Sequence, residues 1–139
     1  MTKNLTPAHL IDAARAWARG SYALEAAVEL LVQHDVWLHR PEFRRYAVDY
    51  ITATYTRIPY AVIDWQAAHA ALSRGRMPCS GSEAAVLRIA LSIADGVPVE
   101  LGPAITCLDA TNLARVLAAI NHAQGNRAAW LATRGDATS

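Results

Sequence analysis

Cys79, Ser80 and Ser82 surround Gly81 in the stretch "MPCSGSEAAVLRIALSIADG", residues 77–96, ahead of a long apolar run. Those residue types support three chemistries. A thiol at a helix N-terminus is acidified, so Cys79 would become a nucleophile if a base stood beside it. No histidine lies close in the chain, and His69 and His122 are candidates only by elimination. Free N–H groups at Ser80, Gly81 and Ser82 would hold an anion, helped by Arg74 and Arg76. A nucleotide-binding Walker loop is not present, since only one glycine is there and no lysine follows. The third chemistry is architectural. Ser80 followed three residues later by Glu83 is a capping box, in which serine and glutamate satisfy each other's backbone N–H groups. A polar cap, a glutamate and an apolar run are all in place, so a helix start is the reading these residues satisfy in full.

The arginines are the second chemical feature. Arg40, Arg44, Arg45, Arg57, Arg74 and Arg76 face only Glu42, Asp49 and Asp64 within residues 40–76, a net +3. Tyr46, Tyr50, Tyr55 and Tyr60 are interleaved with them. Such a mixture suits a nucleic-acid backbone and equally a protein interface. Arg40, Arg44, Arg45, Arg74 and Arg76, together with Ser80 and Ser82, are therefore the candidate contacts for a partner or an anion. A solvated face beside a tyrosine-rich core is the competing explanation.

The remaining polar residues offer less. His9, His34, His39, His69 and His122 include no pair at the one-turn spacing that places two imidazoles on one metal. Glu25 and Glu29 are one turn apart on what reads as a solvated stripe. Cys79 and Cys107 form no metal or redox motif and read as small buried hydrophobes. No catalytic residue, metal or cofactor is expected.

The elements that position these residues read as helices with punctuation. Helix one spans about Pro7–Arg19, capped by Thr6, with Leu10, Ala14 and Trp17 on one face. Helix two spans about Tyr22–His34, capped by Ser21, with Leu24, Val28, Leu31 and Val32 inward. The short break at Gly20 invites a helix-turn-helix reading. Arg19 and Ser21 flank the glycine where apolar residues are needed, and Arg15 occupies a core position, which argues against it. Val36, Trp37 and Leu38 form a buried connector. Helix three is expected over Pro41–Tyr55, with Arg45 paired to Asp49, and helix four from about Pro59 to Arg74. Helix five, about Ser82–Asp95, is apolar nearly all round and so is expected at the centre. "VPVELGPAITCLD" allows either an extended piece at Val97–Leu101 or a loose helix after Pro103. Helix six spans Ala110–Gln124, capped by Asp109, with a Leu108–Leu113 staple and Leu113, Val116, Leu117 and Ile120 inward. One more helical turn is expected at Trp130 and Leu131.

The totals agree. The 139 residues suit one domain, which at this length buries about two-thirds of its unfolded surface. Hydrophobic residues make up 53% of the chain, and many are alanine, the best helix former. The net charge of +1 gives no long-range pull toward nucleic acid or anionic lipid. No apolar run reaches the roughly 20 residues of a membrane helix. The start "MTKNLTPAHL" lacks a basic-then-apolar leader, so a cytoplasmic location is expected. The fold expected is all-α, a compact bundle of about six helices in one domain over 1–133. A subdomain boundary near 73–79 and a frayed tail at 134–139 complete it.

"PCSGSEAAVLRIALSIADGVPVELGPAITCLDATNLARVLAAI" resembles a group of small uncharacterised proteins from mobile elements, plasmids and prophages of high-GC bacteria. Their shared pattern is a Ser-Gly-Ser/Gly-Glu helix start, an apolar helix, a Val-x-Leu segment, then Leu-Asp and a closing helix. It falls here on Ser80–Ile120, and "ARGSYALEAAVELLVQHDVWLHR" is similar to the same group. The group carries no activity or functional residues to transfer. The function expected is that of a non-enzymatic interaction protein, an accessory or inhibitory factor of a mobile element, which docks a partner protein or another copy of itself as a homodimer. The alternative is a small nucleic-acid-binding regulator using the arginines of residues 40–76.

Overall fold

The computed structural model describes residues 6–126. The helical turn expected at Trp130 and Leu131, and the tail at 134–139, lie outside the described residues. Within them are seven α-helices and one two-stranded hairpin. Thr6 caps α1 (Pro7–Ala18) by accepting from the His9 N–H at 3.2 Å, with Pro7 in the first turn, where no N–H is needed. Ser21 caps α2 (Tyr22–His34) in the same way through Leu24 N–H. Asp35, in the left-handed conformation, ends α2. A single 3₁₀ turn, Trp37–His39, follows and buries Trp37 and Leu38. The Trp37 indole N–H donates to the Glu83 carbonyl at 3.0 Å, so the connector is pinned to a helix 46 residues away.

The structure then departs from helical spacing. The helix expected over 41–55 stops early, as α3 (Pro41–Ala47). Residues 48–52 form strand β1 (Val48–Thr52), paired antiparallel with β2 (Pro59–Ile63), in the register Val48↔Ile63 to Thr52↔Pro59. Val48, Tyr50, Ile51 and Thr52 are β-branched or aromatic, types that fit a pleated surface better than a helix. A partner strand is within reach, and the Asp64 N–H closes the hairpin on the Ala47 carbonyl at 2.7 Å. The expected Arg45–Asp49 pair is lost with the helical turn that would have carried it. Ala61 and Ile63 of β2 are buried against α1. Asp64 caps α4 (Trp65–Ser73) through the Ala67 N–H, so this helix begins six residues beyond Pro59.

Helix α5 (Gly81–Asp95) carries the expected capping box and ends on Gly96 in the left-handed conformation. Val86, Leu87, Ala90 and Leu91 have no exposed surface. They pack against α2, whose Ala26, Ala27, Val28, Leu30 and Leu31 are equally buried. Residues 96–100 join no sheet. Val97 plugs the core, and α6 (Leu101–Thr106) provides the short helix near Pro103. Asp109 caps α7 (Ala110–Gln124), which lies along α2. One apolar cluster runs through all these elements.

Helix α7 is rotated relative to expectation. Asn112, Val116, Ala118, Ala119 and His122 face inward. Leu113, Leu117 and Ile120 point outward, 37%, 50% and 45% exposed. Leu113 therefore forms no inward staple. The two faces predict opposite mutational costs. Leu87→Ala should cost about 2–5 kcal/mol through the cavity it leaves, and Leu117→Ala about 0.5 kcal/mol or less. Urea unfolding followed by tryptophan fluorescence, at sub-micromolar protein, measures both.

Candidate functional site

The start of α5 is occupied by its own side chains. The Ser80 hydroxyl accepts from Glu83 N–H at 3.1 Å, and the Ser80 N–H donates to Glu83 Oε1 at 3.0 Å. The Ser82 hydroxyl accepts from Asn112 Nδ2 of α7 at 3.4 Å. The two serines thus work as a cap and as an inter-helix contact. Cys79 is half-buried, and burial, followed by the neighbouring Glu83 charge, pushes its thiol pKa up. That is opposite to the activation a nucleophile requires. Cys107 is exposed, against the expectation of burial. It shares with Gly81, Arg88 and Glu100 the rim of a shallow cavity of about 490 Å³ between α5 and α6. Iodoacetamide at neutral pH should label Cys107 well before Cys79, read by peptide mass spectrometry.

The arginines separate into two sets. Arg40 lies over the Trp37 ring, 5.0 Å from its centroid, and pairs with Glu42 at 3.5 Å. Arg44 Nε donates to the Leu38 carbonyl at 2.9 Å. Both brace the corner between α2 and α3. Arg45, Arg74 and Arg76 gather instead around Tyr46, Arg45 and Arg76 by hydrogen bonds to it and Arg74 in the groove it lines. Arg45 sits over the Tyr46 ring, 5.1 Å from its centroid, and reaches its hydroxyl at 3.4 Å. Hydrogen bonds from Arg76, then Arg45, lower the phenol's pKa. Arg74 and Arg76 line a groove of about 290 Å³ with Tyr46, floored by Ala67, Ala70 and Ala71. They therefore make a cationic patch against α3 and α4, and Ser80 and Ser82 are not among the residues that line this groove. Arg57, in the left-handed conformation, sits in the hairpin loop.

The carboxylates read as a solvated stripe are ties between helices. Glu29 receives Arg15 Nε and Nη2 at 2.7 and 2.8 Å, joining α1 to α2. Glu25 lies 2.8 Å from His122 Nε2 of α7 and accepts the Gly20 N–H at 3.0 Å. The signal was in the sequence: Arg15 on an otherwise apolar face needs an acid on the next helix. Among the described residues, no three His, Cys, Asp or Glu side chains are grouped to hold a metal.

The feature that spacing could not orient is the outer face of α7. Leu113, Leu117 and Ile120 are exposed, as are Ala110, Ala114 and Gln124 between and beside them. No exposed position from 110 to 126 is charged. Contiguous exposed apolar surface of this kind marks a candidate interaction site. Leu101 and Ile105 of α6 add further exposed apolar surface at this end of the chain. Among the described residues, no helix is long and apolar enough to cross a membrane, so lipid does not explain such a face by a spanning helix.

No protein-family model, curated protein or solved structure matches this chain.

The burial of His34 predicts a loss of stability in acid. His34, at the end of α2, is 8% exposed, and burial first, then the Arg115 charge, lowers its pKa. The unfolded chain, with an ordinary histidine near about 6.5, binds this proton more readily than the folded one. The stability due to neutral His34 is thus fully present above about pH 6.5 and is lost as pH falls below it. Denaturant midpoints measured from about pH 7.5 down to 5 should fall more steeply for the wild type than for His34→Gln.

Proposed function

We propose that this protein is a non-enzymatic interaction factor that docks another protein chain through the outer face of α7. The observation carrying this reading is the stripe of Leu113, Leu117 and Ile120 on a helix surface without charge. Burying such a stripe removes apolar area from water at about 25 cal/mol per Å² and leaves no charge to desolvate. Several of the polar candidates are committed to structure: Ser80 and Ser82 hold helices, Arg40 and Arg44 hold a corner, and burial favours the protonated thiol at Cys79. An accessory or inhibitory role toward that partner, in the setting of a mobile element, completes the proposal.

The gathering of Arg45, Arg74 and Arg76 around Tyr46 favours a second reading, a regulator that binds a nucleic-acid backbone through that patch. The two readings separate in one experiment. Tagged wild-type protein and Leu117→Arg are used to capture partners from the native host, with and without nuclease. The docking reading expects a protein partner that survives nuclease and is reduced at least about tenfold by Leu117→Arg. Capture that is abolished by nuclease and unaffected by Leu117→Arg moves the function to the arginine patch, where binding should also fall steeply with salt.

A further inference from the structure

We infer that the outer face of α7 is covered by the same face of a second copy, the two helices running antiparallel about a two-fold axis between Leu113 and Leu117. This rests on the docking reading and names its partner. Leu113, Leu117 and Ile120, with Ala110 one turn before them, form a stripe spaced three, four and three, and the small exposed Ala114 flanks it. That is the seam spacing of paired helices, a stripe narrower than a core-facing helix needs. The protein-facing side, Asn112, Val116, Ala119 and His122, is already filled by the fold, so the seam is a second and separate stripe.

The seam reads the same in both directions. A three-four-three spacing is its own mirror image, and antiparallel pairing about its centre sets Leu113 against Leu117 of the second copy. Ala110 then falls opposite Ile120, a small side chain against a large one. All four layers are apolar, and Gln124 is left beyond them. A symmetric pair needs one patch that complements itself, which is what a two-fold dimer requires. The absence of charge points the same way. The face offers no salt bridge to choose a foreign partner and no like-charge repulsion against its own copy. Antiparallel packing also opposes the two helix dipoles and keeps the two copies of Asp109 about 18 Å apart along the axis, twelve residues of rise. A parallel pair would bring them side by side. The seam is short, so the interface falls at the low end of specific contacts, below about 1,200 Å² in total. The dimer should accordingly be reversible in the micromolar range.

The test uses the full chain with Cys79→Ser and Cys107→Ser, into which Leu113→Cys or Leu117→Cys is introduced. Under mild oxidation an equal mixture of the two variants should give a disulfide-linked dimer joining residue 113 to residue 117, at least about fivefold faster than either variant alone. In parallel, analytical ultracentrifugation should show the wild type shifting from monomer to dimer across the micromolar range. Leu117→Arg should remain monomeric with an unchanged melting temperature at sub-micromolar protein. Self-linking by each variant as fast as the mixture would overturn the antiparallel arrangement. A wild type monomeric at several hundred micromolar would overturn self-pairing altogether. If that monomer still captures a partner protein that Leu117→Arg loses, the docking reading stands and only the inference fails. A monomer whose melting temperature drops on Leu117→Arg would show that the face packs within its own chain, which also overturns the inference.

Discussion

Helix α2 has to be buried on several sides at once, and the rest of the fold follows from how its polar residues are accommodated. Its apolar positions meet α5, and α7 lies along a neighbouring side. A helix in that position has no free solvated stripe for Glu25, Glu29 and Gln33. Each glutamate is satisfied by a partner from another helix, Arg15 for Glu29 and His122 for Glu25, and Gln33 donates to Glu29 at 3.3 Å. Removing Arg15 or His122 would leave a part-buried carboxylate without its inter-helix partner, which costs more than the pair contributes while intact. The two ties also fix orientation, since α1 and α7 can slide on an apolar surface but not past a directed hydrogen bond.

That arrangement determines where chemistry can occur. His122 is drawn inward to Glu25, so the inward face of α7 is set by Asn112, Val116, Ala119 and His122. The opposite face, with Leu113, Leu117 and Ile120, is left in water. At the other end of the core, Trp37 reaches the Glu83 carbonyl while Glu83's side chain closes the box on Ser80. The start of α5 is thus braced from inside by an indole and from outside by its own cap. A segment held this way serves as a fixed joint, and its serines and cysteine are placed for packing.

Much of this was legible from residue types. Thr6, Ser21, Ser80 and Asp109 sit at the caps where they were expected, because a side-chain oxygen accepting a first-turn N–H is a local event. The left-handed glycines at 20, 75, 96 and 125 close elements for the same local reason. Where the sequence reading failed, two local solutions were close in energy. Phe43, Tyr46, Ala47, Tyr50 and Ile51 have helical spacing, yet the residues after Ala47 also suit a strand. The choice fell to strand partners 7 to 15 residues on. Among the arginines, types alone could not distinguish Arg40 and Arg44, which brace a corner, from Arg45, Arg74 and Arg76, which gather around a tyrosine. Separation along the chain conceals that grouping.

The sequence by itself determined the predominance of helix, the positions of most caps and breaks, and the apolar character of α5, since each depends on neighbours a few residues apart. The tertiary structure decided which side of α7 meets the core, where the hairpin interrupts the helices, and which charges end as ties between them. Those outcomes depend on contacts between residues distant in the chain. A helix apolar on two faces carries no local signal of which one the protein will cover.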